Sequence, residues 1–172
     1  MDWSAMFSAP VVVLGCGNTL FGDDGIGPRA VAELADECHP ASDPNSRAVF
    51  LDAGTSVRTL LADLLLSGAS PRRLIVVDAV MEPGREPGSI LEWPLRDSSD
   101  PGKRPASLHQ APTPLLLEAV RSRLGCEVRV LTVQAARIPE EMDETMSPEA
   151  LAAIPELKAA IRRLCSASRS DA

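Results

Sequence analysis

The sequence predicts an α/β fold: a mainly parallel sheet with helices on both faces, stacked as a three-layer sandwich. Three observations carry this. The runs VVVLG (11–15) and LIVV (74–77) contain no polar side chain, as strands buried on both faces require. Stretches whose apolar residues recur at helical spacing stand between and after them. The alternation contains no internal repeat and no linker, which describes a single domain over residues 1–172 with an ordered core of about 10–165.

The first strand, 11–15, ends in glycine. From Ile26 a stripe of Ile26, Ala30, Val31, Leu34, Ala35 and Cys38 marks a helix, ended by Pro40 and the polar stretch 42–46. Residues 48–52 read as the second strand, and Gly54 and Thr55 as the turn and N-cap of the next helix. That helix carries Val57, Leu60, Leu61, Leu64 and Leu65 on one face and stops at Gly68. The third strand, 74–77, sets Asp78 at its C-terminal end. Residues 89–93 form a short strand, followed by a loop rich in Pro, Ser and Asp up to Ser107. Thr113 and Pro114 give an N-cap with proline at the first helical position, opening a helix over 115–124 that closes at Gly125. Residues 127–133 alternate as a further strand. Ser147, Pro148 and Glu149 repeat the cap-plus-proline signal for a last helix to about Cys165, in which Pro155 predicts a kink or two short pieces. The tail 166–172 is expected to be disordered.

Composition excludes several classes. At 45% hydrophobic, with 15 scattered prolines, the chain is globular in type. No stretch approaches the roughly 20 apolar residues needed to cross a bilayer. The opening MDWSAMFSAP lacks a basic region, and VVVLGCG is too short for a signal peptide, so a cytoplasmic location is expected. A net charge of −7 argues against nucleic acid, whose phosphates call for clustered Lys and Arg. Cys16, Cys38, Cys126 and Cys165 are far apart with no CxxC pair, which argues against a zinc knuckle or redox motif.

In open α/β sheets, ligands sit beyond the C-terminal strand ends where strand order reverses. If the order begins 2-1-3, the loop GCGNTLFGDDGIG after the first strand meets the end of the third, bringing Asp23 or Asp24 close to Asp78. Two carboxylates at short range need a proton, a cation or separation, and a bound metal is one resolution. Of the two histidines, His39 lies beside Pro40 where a capping or exposed role fits better, while His109 lies in the polar loop ahead of the 113–124 helix. Asp24, Asp78 and His109 would supply two oxygens and one nitrogen and leave coordination positions open. A nucleotide loop is a poor match: Gly15 and Gly17 are followed by Leu20, the next glycine is Gly22, and two aspartates would repel a pyrophosphate. No GxSxG elbow is present, and Cys16 is the one thiol in the crevice loop, with packing as its ordinary role.

The segment VVVLGCGNTLFGDDGIGPRAVAEL resembles the opening of hydrogenase maturation proteases: a strand, GxGNxL, then an acidic pair before Gly and a helix. LDAGTS (51–56), LIVVDAV (74–80), a Pro-Gly element before a short strand and SLHQ (107–110) continue the likeness over most of 11–134. The resemblance implies the family's three-layer, phosphorylase-like fold. It also implies an endopeptidase that removes a C-terminal extension from the large subunit of a [NiFe] hydrogenase. By the same resemblance the metal-engaging and catalytic positions fall on Asp24, Asp78 and His109, and they engage nickel already inserted in the large-subunit precursor. The opening looks most like the branch serving F420-reducing hydrogenases. A monomer that binds no nucleic acid and no membrane is expected. QAARIPEEM keeps Pro139 and Glu140 but lacks the glycine common before them in relatives, and Pro112 and Pro114 stiffen the stretch after His109. Both departures bear on substrate fit. Asp23 is open between general base and turn-shaping residue. Two other readings stand beside this one: a non-proteolytic nucleotide- or metal-binding chaperone on a flavodoxin-like sheet, and an inactive paralogue that docks without cutting.

Overall fold

The computed structural model describes residues 6–38, 48–93 and 113–167. The first apolar run forms β1 (Val11–Cys16), buried at every position. A 3₁₀ turn (Gly22–Gly25) leads into α1 (Ile26–Glu37). Then come β2 (Ala48–Gly54), α2 (Val57–Ser67), β3 (Arg73–Val80), β4 (Ile90–Trp93), α3 (Thr113–Leu124), β5 (Glu127–Gln134) and α4 (Pro148–Ser166). The strands form one sheet in the order β2-β1-β3-β5-β4, parallel except for β4, which runs antiparallel to β5.

Strand alternation divides the apolar residues between two layers. Val11, Val13, Ile75, Val77, Leu131 and Val133 meet α1 and α4 on one face. Val12, Leu14, Leu74, Val76, Val128 and Val130 meet α2 and α3 on the other. Each such side chain contributes about 1.5–3 kcal/mol by leaving water. Because both faces are covered, the strands read as unbroken apolar runs, and the expected three-layer α/β sandwich is what forms.

The order fixes where a crevice can open. The chain leaves β1 toward β2 on one side and reaches β3 on the other, so the reversal lies between β1 and β3. The β1–β3 ladder ends at Gly15↔Val77, while β3 continues beside β5 to Val80↔Gln134. The third strand is therefore longer than its apolar run. Asp78 lies inside it, as the first β3 residue past the end of the β1–β3 ladder, because β5 still supplies backbone partners there.

Three other expectations change. The second helix starts after Ser56 rather than on a Gly54–Thr55 cap, and no side chain caps it. Pro155 neither ends nor splits α4, which runs as one helix from Pro148 to Ser166. It lies on the exposed side, and the stripe Ala150, Ala153, Ile154, Leu157, Ala160 and Ile161 holds both halves against the sheet. The start of the tail is fixed: the fully buried Arg73 donates through Nη1 to the carbonyls of Leu164 and Ala167 and through Nη2 to Glu127 at 2.6 Å. These bonds satisfy carbonyls that the end of α4 leaves open.

Candidate functional site

Close backbone approaches explain the glycine spacing of the loop after β1. A Cβ on Gly15 would stand 2.4 Å from the Gly27 carbonyl oxygen, and one on Gly27 would stand 2.4 Å from the Cys16 oxygen. The first turn of α1 thus rests directly on β1. Gly17 has φ +121°, and a Cβ there would lie 1.8 Å from the Asp24 oxygen. Only glycine lets the loop curl back this far. The spacing serves to fold the acidic pair over the end of β1.

Asp24 is held in that curl. The Asn18 amide donates to its Oδ2 at 2.7 Å, while the Asn18 side chain accepts from Leu20 N at 3.0 Å. Asp78 extends from the face of β3 that also carries Leu74 and Val76, the α2–α3 side, and its Oδ1 accepts from Ala79 N at 3.0 Å. Burial first, and the Asp24 charge second, push the Asp78 carboxyl up to about 8, against the weaker opposing effect of that hydrogen bond. The two carboxylates predicted to meet therefore do sense one another. Cys16, on the same face of the sheet, is buried, and its thiol is raised well above its ordinary value by burial, then by Asp78, Asp52 and Asp24. At neutral pH it is a protonated thiol among carboxyl groups, a poor nucleophile.

Asp23 has a different environment. It is buried, and its Oδ1 accepts from Ser147 N at 2.7 Å. Its Oδ2 accepts from Ala136 N at 2.8 Å, Arg137 N at 3.2 Å and Ser147 Oγ at 2.8 Å. Ser147 Oγ in turn caps α4 by accepting from Ala150 N at 3.1 Å. One carboxylate thus ties the crevice loop to the segment after β5 and to the start of α4. A carboxylate with its lone pairs committed to four donors is a scaffold, which decides between the two roles left open for Asp23.

Beside the loop, Gly17, Asn18, Thr19, Pro28, Asp52, Gly54 and Thr55 line an open cleft of about 200 Å³ at the C-terminal ends of β1 and β2. Asp52 Oδ1 accepts from Gly54 N at 2.8 Å, which fixes the turn there. Among the described residues no group of three or more His, Cys, Asp or Glu side chains is arranged to hold a metal ion. His109 and His39 lie outside the described residues. α3 ends beside the start of β3, where Ser70 Oγ donates to the Leu124 carbonyl at 2.7 Å. Its buried N-terminal Thr113 accordingly starts from the opposite edge, on the face that carries Asp78. The chemistry of the described pair suits a divalent cation: two oxygen donors, one of them held protonated by burial and by the charge of the other.

Asp24 and Asp78, singled out from the sequence, do come to the same crevice, whereas Asn18 and Ser147 beside them were not singled out for it. Asn18 carried a signal, since asparagine after a glycine turn commonly bonds its own backbone two residues on. Ser147 was legible as a helix cap, but its bond to Asp23 was not.

Comparison with known proteins places this geometry among relatives. Residues 28–164 match the family model described as hydrogenase maturation protease. A protein of Methanocaldococcus jannaschii assigned to the hydrogenase maturation proteases is 31% identical over 124 residues, covering 72% of this chain and 75% of its own length. The coenzyme F420 hydrogenase subunit delta of Methanothermobacter thermautotrophicus is 33% identical over 91 residues, 53% of this chain and 55% of that protein. The chain thus spans about half the length of that relative. Among solved structures, the [NiFe] hydrogenase maturation protease HycI from Thermococcus kodakarensis superposes with a TM-score of 0.71 over 97% of this chain and 100% of its own, at 18% identity, a likeness of fold. The endopeptidase HycI from Escherichia coli gives 0.64 at 25% identity, covering 87% and 86%.

Proposed function

The chain belongs to the hydrogenase maturation protease family, and from that membership we propose that it is an endopeptidase that removes the C-terminal extension of a nickel-loaded [NiFe] hydrogenase large-subunit precursor. Nickel here belongs to the substrate. Asp24, Asp78 and His109 are the residues that engage it, the first two from the crevice between β1 and β3 and the third from the stretch of sequence ahead of α3. What supports the reading most is the pair Asp24 and Asp78, set at the strand-order reversal with one carboxyl still protonated near neutrality. Such a pair must give up a proton before it takes free metal, which makes that binding weak. Nickel delivered on a large partner arrives with its other ligands in place and can displace that proton. Cleavage then waits for metal insertion.

Bound nickel would supply Lewis-acid polarisation of the scissile carbonyl or of a water molecule. Asp24 is presented by the Asn18 amide and needs no rearrangement to meet a cation. Asp78 carries the exchangeable proton: its Oδ1 is engaged by Ala79 N, and Oδ2 makes no hydrogen bond among the described residues. The protonated Cys16 thiol fills the floor of the crevice and takes no part as nucleophile. The F420-reducing hydrogenases are the class we favour for the precursor, with processing in the cytoplasm by a monomer. Among the described residues no helix is long and apolar enough to cross a membrane.

The test is incubation of the protein with nickel-loaded, unprocessed large subunit, followed by intact-mass measurement. Loss of a C-terminal peptide with nickel present, and no loss without it, is expected. A mass unchanged with nickel in place would remove the protease reading and leave a docking or chaperone role.

A further inference from the structure

Next to the crevice loop the chain exposes apolar side chains within an acidic border. Phe21 and Asp143 form a parallel bridge, and Asp143 N donates to the Leu20 carbonyl at 3.0 Å. That register sets Leu20 beside Met142. Both are exposed, Met142 at 69% and Leu20 at 37%. Glu140, Glu141 and Glu144 flank Met142 along the chain, and all three are exposed. Their side chains make no ion pair or hydrogen bond among the described residues, whereas Asp143 is paired with Arg137 at 2.6 Å.

The segment is fastened to the crevice loop. The Asp23 carboxylate grips the backbone of Ala136, Arg137 and Ser147 on either side of it. Asp143 Oδ1 accepts from Thr145 N at 2.9 Å. Gly22 is packed so closely that a Cβ on it would lie 3.1 Å from the Thr145 oxygen and 3.3 Å from Pro139 Cδ. Asp24, the next residue after Asp23, belongs to the same body. A partner seated on Leu20 and Met142 is thereby placed in a fixed relation to the crevice.

We propose that Leu20 and Met142, bordered by Glu140, Glu141 and Glu144, dock a segment of the hydrogenase precursor bearing basic and apolar side chains. This rests on the processing role proposed above. Charge chooses the occupant. Like charges crowded at one exposed border repel one another, and a basic segment relieves that repulsion. Phosphate-bearing partners would add to it. The apolar pair supplies area that returns to water when the segment leaves. Such borders act mainly on encounter and affinity, so their removal alters KM and salt dependence more than the chemical step.

The experiment measures association of the precursor with the immobilised protein over a range of salt, alongside KM and kcat for processing. Glu140→Lys, Glu141→Lys and Glu144→Lys are combined in one variant, and Met142→Ser is made separately. With circular dichroism and melting unchanged, the triple variant is expected to raise KM about tenfold or more, leave kcat within about twofold, and lose the acceleration of association at low salt. Met142→Ser is expected to raise KM about threefold through faster dissociation. A folded triple variant with the wild-type KM and salt response overturns the docking surface while the protease reading stands. Wild-type protein that associates in a salt-dependent way but never cuts keeps the surface and removes the protease reading. Wild-type protein that does not bind the precursor at any salt overturns the surface.

Discussion

Replacing Asp78 by asparagine is expected to make the protein more stable and inactive, with the gain in stability appearing only as pH rises. The folded carboxyl holds its proton up to about 8, against an ordinary value of 3.8. Between those values the unfolded chain has lost a proton that the native chain keeps, so native stability falls as pH increases. A gap of about four units, at about 1.4 kcal/mol each, sets a ceiling of roughly 5–6 kcal/mol above about pH 8. Asp78 retains partial contact with water, and screening brings the expected loss to about 1–3 kcal/mol. Asparagine has no such proton to lose. Thermal melts of both proteins, with chelator present, should show little difference near pH 4. Above about pH 8 the variant should melt about 3–10 °C higher, at 2–4 °C per kcal/mol for a chain of this size. Processing by the variant should fall by about a hundredfold or more, since the negative charge offered to nickel is gone. A melting difference that does not change with pH, or a wild type that gains on the variant as pH rises, would refute the unpaired carboxyl. Near-normal processing by the folded variant would refute its role as a nickel-engaging residue.

Asp23→Asn puts an amide N–H among four donors whichever way it is turned. It should cost about 2–4 kcal/mol, read as a drop of roughly 5–15 °C in melting temperature, and a melt within about a degree of wild type would remove Asp23 as the tie between loop and α4. Gly17→Ala places a methyl 1.8 Å from the Asp24 oxygen; it should destabilise by about 3 kcal/mol or more, and processing at temperatures where the variant is still folded should drop with it. An unchanged melt would mean the loop is not curled as described. Cys16→Ser removes only a protonated, buried thiol, so processing by the folded variant should stay within about threefold of wild type; its complete loss would require a thiol nucleophile in place of the metal-reading scheme. His109→Ala should abolish processing without a change in melting, measured by intact mass and calorimetry together, and retained processing would take His109 out of the nickel-engaging set.

The fold was largely legible because burial writes itself into local composition. A strand covered on both faces must be apolar at consecutive positions, as 11–15 and 74–77 are, and a helix packed on one side must repeat its apolar residues every three or four positions, as Leu60, Leu61 and Leu64 do. The glycines of the crevice loop were equally visible, since a motif that fits only without side chains tolerates little else. Asp24 and Asp78 followed from strand ends and the expected order, because fold topology alone decides which loops can face each other. Element ends were less legible. Asp78 reads as the end of an apolar run, yet β3 continues to Val80 because β5 offers a partner at each residue, and a partner strand leaves no mark on the sequence it pairs with. Pro155 reads as a helix breaker, yet α4 stays one helix because its other face is held to the sheet.

The sequence by itself determined the layer architecture, the crevice and the acidic pair that the crevice contains, since each depends on side-chain polarity at short, regular spacing. Strand order left Asp23 or Asp24 to meet Asp78 and the family resemblance chose Asp24, but only the tertiary structure gave the physical reason that separates the two adjacent aspartates. Neighbours in sequence, they differ because Asp23 meets donors 113, 114 and 124 residues away and is used up in holding the loop, while Asp24 is left to face Asp78. Which carboxylate is committed to hydrogen bonds and which faces another carboxylate is a matter of partners brought together through space, and no local pattern records them.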